Sequence, residues 1–496
     1  MRRAGEDVLG ARDGRPPFAG SYPAAAAMAL LALCPFLVLT TATTLFQQQL
    51  EHDLGAGMFG LQVTSGLANA GYAFGAVVAA DVYHRVSRRR LYLGCEIGFV
   101  CSSLLALSAQ GIVAFAVGMI FQGVATGMLL VAALPPLVTT HGAKKLPATA
   151  AIVNLGLFGV VTLGPLVGGL AGSFHGWRPL YAAVAALGAA AVGVGLLAFE
   201  DSEPPEPGMR FDWLAIPLAF GGTFLPFFGV SWLTRGSFGS PLFIGPVVVG
   251  VGCVTALVVA QYRKAEPLMP VKLISNTLPV TGTGGAMLVG AAFTALLELA
   301  ELYLMQGKGY APVLVGLLVT AQLPGIALAA WLFKRALPTR WTPWLALSGL
   351  LAVMAGAALL LFLSPANAQV ITPVAAVLLG YGAGAGVAPG LFMAGLSVPS
   401  TSIGPTFALV ELLRSEAAFL LAPLLLAVAQ TAGSLVAGVH LAVVITLAVC
   451  AAGGCALVAV YLLGGARPHP PDLEGWIDGD ATAYHSPPLA DTVRDT

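Results

Sequence analysis

Two carboxylates within a long apolar run are the first residues that could carry out chemistry. Glu298 and Glu301 stand three positions apart in the run 279–305, so on a helix they share one face. If this run crosses a bilayer, a charge near its centre costs about 3 kcal/mol or more, and the acids face protein or water. Two such close carboxylates do not both ionise easily, which suits a proton carrier. We predict proton coupling here, led by the deeper Glu298; the alternative is a pair of acids at the outer interface.

A second charged cluster lies in a later apolar run and contains Glu411, Arg414 and Glu416. Glu411 and Arg414 are three positions apart, a spacing that brings opposite charges together on one helix face. It favours a structural ion pair, and the alternative is that Glu411 also takes part in proton coupling. Glu96 follows a basic loop, and we expect it to pair with that loop.

Uncharged polar side chains in other apolar runs could hydrogen-bond a small molecule. Threonine hydroxyls in a helix also bond to carbonyl groups of the same helix, which is the alternative role for those in the first run. A wall of hydroxyl and amide groups would suit a bulky, mostly neutral or cationic ligand. The candidates for lining a substrate site are Thr41, Thr44, Gln48, Gln122 and Asn154.

The composition excludes an ordinary soluble domain. Of the 496 residues, 57% are hydrophobic and only 9% are charged, whereas soluble domains carry roughly 25% charged residues. The formal net charge is zero, so nothing indicates a nucleic-acid partner. The six cysteines lie in apolar runs without a C-x-x-C spacing, which predicts small buried side chains and neither a metal site nor a disulfide. We expect no bound cofactor.

Fourteen apolar runs reach the length of about 20 residues that a helix needs to cross a bilayer. They predict an all-α integral membrane protein with six helices in 24–199, two in 200–278 and six in 279–465. The polar segments 1–23 and 466–496 are expected to be cytoplasmic tails, the second of them flexible.

Lysine and arginine concentrate in alternate loops between these runs. Arg88, Arg89 and Arg90 lie in one such loop, and Lys144 and Lys145 lie in another. Basic loops stay on the cytoplasmic side. We therefore predict a multi-pass protein of the plasma (inner) membrane with both termini in the cytoplasm.

The stretch 164–169, Gly-Pro-Leu-Val-Gly-Gly, is typical of a membrane helix. Soluble helices avoid proline and paired glycine in their interiors, but membrane helices tolerate both, because small residues let two helices approach closely. We interpret the stretch as a bent, tightly packed point on which helices could rock. Its key residues are Gly164, Pro165, Gly168 and Gly169.

This stretch and the following Trp-Arg-Pro-Leu-Tyr at 177–181 resemble the fifth-helix motif and next helix start of the major facilitator superfamily. More narrowly, they are similar to its fourteen-helix drug:proton antiporter branch. The resemblance implies two six-helix bundles plus two inserted helices, with a substrate site near the midplane and alternating access. It also implies export of a drug or natural product against inward proton flow. The implied partners are a small-molecule substrate, protons and the lipid bilayer, for a protein that works as a monomer.

The loop from Asp81 to Arg90 is similar to the D-R-x-G-R-R loop of that superfamily, with Val82 after the acid and Ser87 in place of the glycine. The resemblance implies that Asp81 and Arg85 belong to a cytoplasmic charge latch that holds the outward-facing state. The alternative is a basic loop that only sets the orientation.

Two positions depart from the family pattern. Leu39 stands where many relatives carry an acid, and Met119 stands where the R-x-x-Q-G motif carries arginine. These departures motivate a second hypothesis, an importer or uniporter without the usual coupling residues. A third hypothesis, from another class, is a transport-inactive membrane receptor or partner protein. No G-x-S-x-G, H-E-x-x-H or phosphate-binding loop is present, so we do not expect an enzyme.

Overall fold

The computed structural model describes residues 16–174, 176–201, 203–204, 211–479 and 481–489. Most of the predicted N-terminal tail and residues 490–496 of the C-terminal tail lie outside this description. Fourteen described helices are long and apolar enough to cross a membrane, which confirms the all-α membrane fold. Their bounds are α1 Tyr22–Leu54, α2 Met58–Tyr83, α3 Arg88–Ser108, α4 Ile112–Thr139, α5 Ala143–Ser173, α6 Trp177–Ala198, α7 Ala215–Thr234, α8 Pro241–Arg263, α9 Thr277–Gly307, α10 Pro312–Ala336, α11 Thr342–Leu360, α12 Ala368–Gly395, α13 Ser400–Thr431 and α14 Leu435–Leu463.

Two of the helices that line the centre of the molecule change their winding. α1 passes through a 3-10 turn at Thr43–Phe46, and α9 ends in a π-helical turn at Tyr303–Gly307. The hydroxyls of Thr40 and Thr43 donate to carbonyl groups three and four residues earlier, at 2.8 and 2.6 Å. Such bonds bend a helix, which accounts for the irregular turn at this point of α1.

The helices pack as two groups with a smaller pair beside them. Helices α1 to α6 contact one another, as do α9 to α14, and the two groups meet where α5 packs on α10 and where α2 packs on α13. Helices α7 and α8 pack together, and α7 rests on α2. Many apolar side chains of α8 are exposed, including Leu242, Val248 and Val251, as a surface in contact with lipid requires.

Both described ends of the chain lie on one face of the molecule, which we call the terminal face. Near the N-terminal end, the Phe18 amide donates to the carbonyl of Leu197 at the end of α6. Near the C-terminal end, the Leu489 amide donates to the carbonyl of Ser275, just before α9. The loops α2–α3, α4–α5, α6–α7, α8–α9, α10–α11 and α12–α13 share this face, and the other loops lie on the opposite face.

The C-terminal segment differs from the expectation of a flexible tail. Within residues 466–489, a short helix α15 (Leu473–Ile477) packs on the terminal face. Trp476 is fully buried, and its indole donates to the Val398 carbonyl at 2.7 Å. The polar composition predicted disorder, but two aromatic side chains, Trp476 and Tyr484, bury enough apolar surface to order the segment.

Candidate substrate-binding cavity

A cavity of about 540 Å³ lies between the two helix groups. Its walls come from α1, α2, α4, α5, α7, α9, α12 and α13. It reaches the opposite face, where its lining residues Gln306, Gly309 and Gln430 are exposed. Its size is in the range typical of small-molecule sites.

The cavity is closed toward the terminal face by apolar side chains from both groups. Leu134 of α4 lies there with Phe392 of α12 and Phe407 of α13, and all three are at most 5% exposed. They belong to one continuous apolar cluster that joins the groups. The structure is therefore open to the opposite face and sealed on the terminal face.

Four of the five side chains predicted to line a substrate site border this cavity: Thr41, Thr44, Gln48 and Asn154. Thr44 and Gln48 are exposed to it. Thr41 Oγ1 donates to the Val161 carbonyl of α5 at 2.9 Å, and Asn154 Nδ2 donates to the Gly384 carbonyl of α12 at 2.9 Å. Thr41 and Asn154 thus also join helices, whereas Thr44 and Gln48 are placed to meet a ligand.

Gln122 is placed elsewhere, which corrects the expectation that it lines the site. It is fully buried between α3 and α4, and its Nε2 donates to Ser103 Oγ at 2.7 Å. The apolar surroundings of Gln122 in the sequence do not distinguish a helix contact from a cavity wall. The packing of α4 against α3 places the Gln122 side chain in a contact between these two helices.

Glu298 and Glu301 both border the cavity, on the face of α9 that the spacing predicted. Glu298 is partly exposed, and Glu301 is 2% exposed with a buried carboxylate oxygen that has no hydrogen-bond partner. No basic side chain of the described chain pairs with either acid. Their burial disfavours the alternative of two acids at the outer interface. An acid in such a place exchanges between neutral and charged forms only as water or a ligand reaches it.

Glu411 forms a bidentate ion pair with Arg414, the arrangement that their spacing of three positions favoured. Arg414 Nε donates to Glu411 Oε2 at 2.9 Å, a second guanidinium nitrogen contacts Oε1, and Ser415 Oγ donates to Oε1 at 3.1 Å. Tyr72 of α2 interacts with both charges across the boundary between the groups. The pair borders the cavity, so it joins the helix groups beside the site.

Glu416 does not belong to this charge network, although it was expected to. It forms no ion pair within the described chain, and one of its carboxylate oxygens is buried without a partner. The reason is geometric: Arg414 is already occupied by Glu411, and Glu416 does not border the cavity.

The glycine-rich stretch of α5 lies where that helix crosses α1 and α10. A Cβ atom at Gly164 would meet Val38 and Thr41, one at Gly168 would meet the backbone of Ala42, and one at Gly169 would lie 2.5 Å from the Pro312 carbonyl. Pro165 lies in the same crossing, because its carbonyl approaches Gly316 of α10. The stretch therefore packs α5 between one helix of each group.

Comparison with known proteins decides the family. A sequence model of the Major Facilitator Superfamily matches residues 28–423. The chain belongs to this superfamily. Over 315 residues, it is 25% identical to the Multidrug resistance protein B homolog of Mycobacterium tuberculosis, a match that covers 63% of the chain and 58% of that relative.

Two further relatives have names that refer to efflux or export. The Drug efflux pump JefA of Mycobacterium tuberculosis is 25% identical over 356 residues, which cover 70% of the chain and 69% of that protein. The Tetracenomycin C resistance and export protein of Streptomyces glaucescens is 25% identical over 276 residues, or 55% of the chain and 51% of that protein. The chain thus spans about half to two thirds of the length of the curated relatives it matches.

Two solved structures of transporters share the fold of this chain. The human organic anion transporter MFSD10 (TETRAN) superposes with a TM-score of 0.62 at 14% identity. The match covers 88% of the present chain and 99% of the MFSD10 chain. The peptide transporter POT in complex with sulfate superposes with a TM-score of 0.63 at 16% identity. The match covers 90% of the present chain and 96% of the POT chain.

The loop that resembles the superfamily's charge latch contacts the segment that precedes the pair α7–α8. Asp81 forms an ion pair with Arg85 and accepts a hydrogen bond from the Asp212 amide at 3.3 Å. Arg85 also stacks on Phe211 at 4.8 Å. These contacts of Asp81 and Arg85 thus join the end of α2 to the segment just before α7. They do not join it to the second helix group, α9 to α14.

Asp212 extends this network to the end of α8. It accepts hydrogen bonds from Gln261 Nε2 at 2.8 Å and Lys264 Nζ at 2.5 Å. Burial alone would raise the pKa of Asp212, but the bonds from Lys264 and Gln261 and the lysine charge outweigh it, so that pKa lies below its ordinary value. Asp212 therefore stays ionised near neutral pH and holds α7 and α8 together.

Glu96 does not pair with the basic loop in the described part of the chain, which corrects that expectation. It is fully buried in α3, with neither carboxylate oxygen bonded. The nearby arginines have other partners: Arg88 stacks on Tyr83 at 4.9 Å, and Arg89 donates to the Leu196 carbonyl at 3.2 Å.

Several cavity residues were missed in the sequence although a signal for them exists. Gln62, Ser65, Asn69 and Tyr72 of α2 all border the cavity. They recur every three or four positions, which places them on one face of a helix. A polar stripe of this kind within an apolar run could have identified the wall that α2 contributes.

Proposed function

We propose that the protein is a proton-coupled exporter of small amphipathic compounds that works by alternating access. The observation that carries the proposal is the pair Glu298 and Glu301, which border the cavity without a counter-charge in the described chain. Relatives whose names refer to drug efflux or to export support the direction of transport. Proton binding at this pair would change the charge of the site between the two access states.

The lining supports a neutral or cationic substrate with a large apolar part. Of the charged side chains that line the cavity, Glu51, Glu298 and Glu301 have no basic partner among the described residues, whereas the charge of Arg414 is neutralised by Glu411. The deeper wall is apolar and aromatic, and it includes Phe158, Phe293, Phe392 and Phe407. An acceptor-rich wall favours donors and cations, and aromatic faces favour both flat rings and cations.

Transport by the purified protein in liposomes tests this proposal. With ethidium as a probe, an imposed pH gradient should drive its accumulation against its own gradient, in the direction opposite to proton flow. Exchange of ethidium without any response to the pH gradient would instead support the uniporter hypothesis. Binding without any flux would support the receptor hypothesis.

We further propose that the terminal face lies in the cytoplasm of the cell that makes this protein. In a variant without native cysteines, Lys144→Cys in the α4–α5 loop should resist a membrane-impermeant maleimide added to intact cells. Ala366→Cys, in the α11–α12 loop on the opposite face, should react within minutes. Both positions are suited to labelling, because Lys144 and Ala366 are exposed. Reaction of both from outside the cell would overturn the assignment.

A further inference from the structure

The described residues 466–479 and 481–489, which we call the strap, are attached to the second helix group through their backbone. The amides of Ala483 and Tyr484 both donate to the Leu396 carbonyl, at 2.8 and 3.1 Å. The Thr277 amide, at the start of α9, donates to the Pro487 carbonyl at 3.0 Å. Together with the buried Trp476, these bonds fix the strap along the loops α8–α9 and α12–α13.

Side chains of the strap extend this attachment to a third element. Tyr484 is 3% exposed, and its hydroxyl donates to Thr342 Oγ1, at the start of α11, at 3.1 Å. The Leu278 amide donates to Ser486 Oγ at 3.0 Å. All of these partners belong to α9 to α14 or to the loops that join them, so the strap would move with that group.

The strap also contacts the other helix group. Its helix α15 packs against the turn Ala143–Lys145, which precedes the main part of α5. Leu473 and Trp476 belong to the same apolar cluster that closes the cavity toward the terminal face, and Ala143 packs against that cluster. The strap therefore bridges the two groups on the side where they are closed.

The charges on the two sides of this bridge are opposite. Glu474 and Asp478 of the strap are exposed, and so are Lys144 and Lys145 of the turn. They form no direct ion pair in the described chain. Their attraction therefore acts over a longer distance and is weakened by salt.

We propose that the strap stabilises the closed terminal face and thereby disfavours the conformation that opens there. Opening requires the α4–α5 turn to separate from α9 to α14, which breaks the contacts of α15 with the turn but leaves the backbone bonds of the strap intact. A segment that binds one of two conformations more tightly shifts the population toward it. The proposal concerns conformation alone and does not depend on the substrate.

Distance measurement between spin labels on the two groups tests this proposal in the full chain. Labels at Arg90→Cys and Arg340→Cys, one from each group, lie on exposed positions of the terminal face in a variant without native cysteines. The unmodified strap should give mainly the shorter, closed distance. Charge reversal by Glu474→Lys with Asp478→Lys should raise the longer-distance population at least threefold at low salt.

Three further variants make the test specific. Adding Lys144→Glu and Lys145→Glu to the reversed strap restores opposite charges, and the closed population should return. Trp476→Ala should open the terminal face as the reversed strap does, whereas Trp213→Ala, at a residue that is 80% exposed on the same face, should not. If the reversed strap leaves the distances unchanged, or if the charge swap fails to restore them, the proposal is overturned, whether or not Trp476→Ala folds.

Discussion

Glu298→Gln is expected to abolish uphill export driven by a pH gradient, while binding and downhill exchange stay largely intact. Glutamine has nearly the shape of the protonated acid but cannot release a proton. Each proton that moves down a pH gradient of about one unit releases about 1.4 kcal/mol, enough for a roughly tenfold gradient of a monovalent cation exchanged one for one. Without a proton carrier this coupling is lost, so accumulation of ethidium in liposomes should fall to the level of passive equilibration.

Two other acids serve as controls for this variant. Glu301→Gln should reduce uphill export less, because Glu301 lies nearer the opposite face on the same helix. Glu416→Gln removes another buried acid, one that does not border the cavity, and it should leave coupling unchanged. Binding in detergent should be measured beside transport for each variant. If Glu298→Gln still concentrates the probe as the unmodified protein does, Glu298 is not the carrier, and Glu411 becomes the leading candidate.

Gly168→Ala is expected to lower the transport rate at least tenfold in protein that still inserts into the membrane. The new Cβ would lie 2.7 Å from Ala42 Cα and 2.8 Å from the Ala42 carbonyl carbon. These are backbone atoms, so no change of rotamer relieves the contact, and α5 must move away from α1. Such overpacking costs about 1–3 kcal/mol in a close-packed interior. The thermal unfolding temperature in detergent and the initial transport rate should both fall.

Gly159→Ala on the same helix is the matched control for this variant. A Cβ at Gly159 would meet only Leu155 and Leu323 side chains, at 3.7 and 4.0 Å, which are ordinary contact distances. It should therefore behave like the unmodified protein. Normal transport by well-expressed Gly168→Ala would show that close contact between α5 and α1 is not needed, and the role of the motif would have to be sought in Pro165.

Much of the architecture was readable from the sequence, because length and apolarity set the number of membrane helices. A helix that crosses a bilayer must satisfy its own backbone hydrogen bonds, and it therefore appears as a run of about 20 apolar residues. The Gly-Pro motif at 164–169 then indicated the superfamily, and the spacing of Glu298 and Glu301 placed both acids on one face of α9. These inferences rest on local sequence and hold in the structure.

The direction in which each polar side chain points was decided only by tertiary packing. Lipid and protein interior are both apolar, so hydropathy does not tell which face of a membrane helix turns inward. For this reason Gln122 bonds to Ser103 instead of lining the cavity, Glu96 does not pair with the basic loop, and Glu416 forms no ion pair within the described chain. Trp476 shows the same limit outside the membrane, because a polar segment with one well-placed aromatic residue becomes ordered only when the folded loops provide a pocket for it.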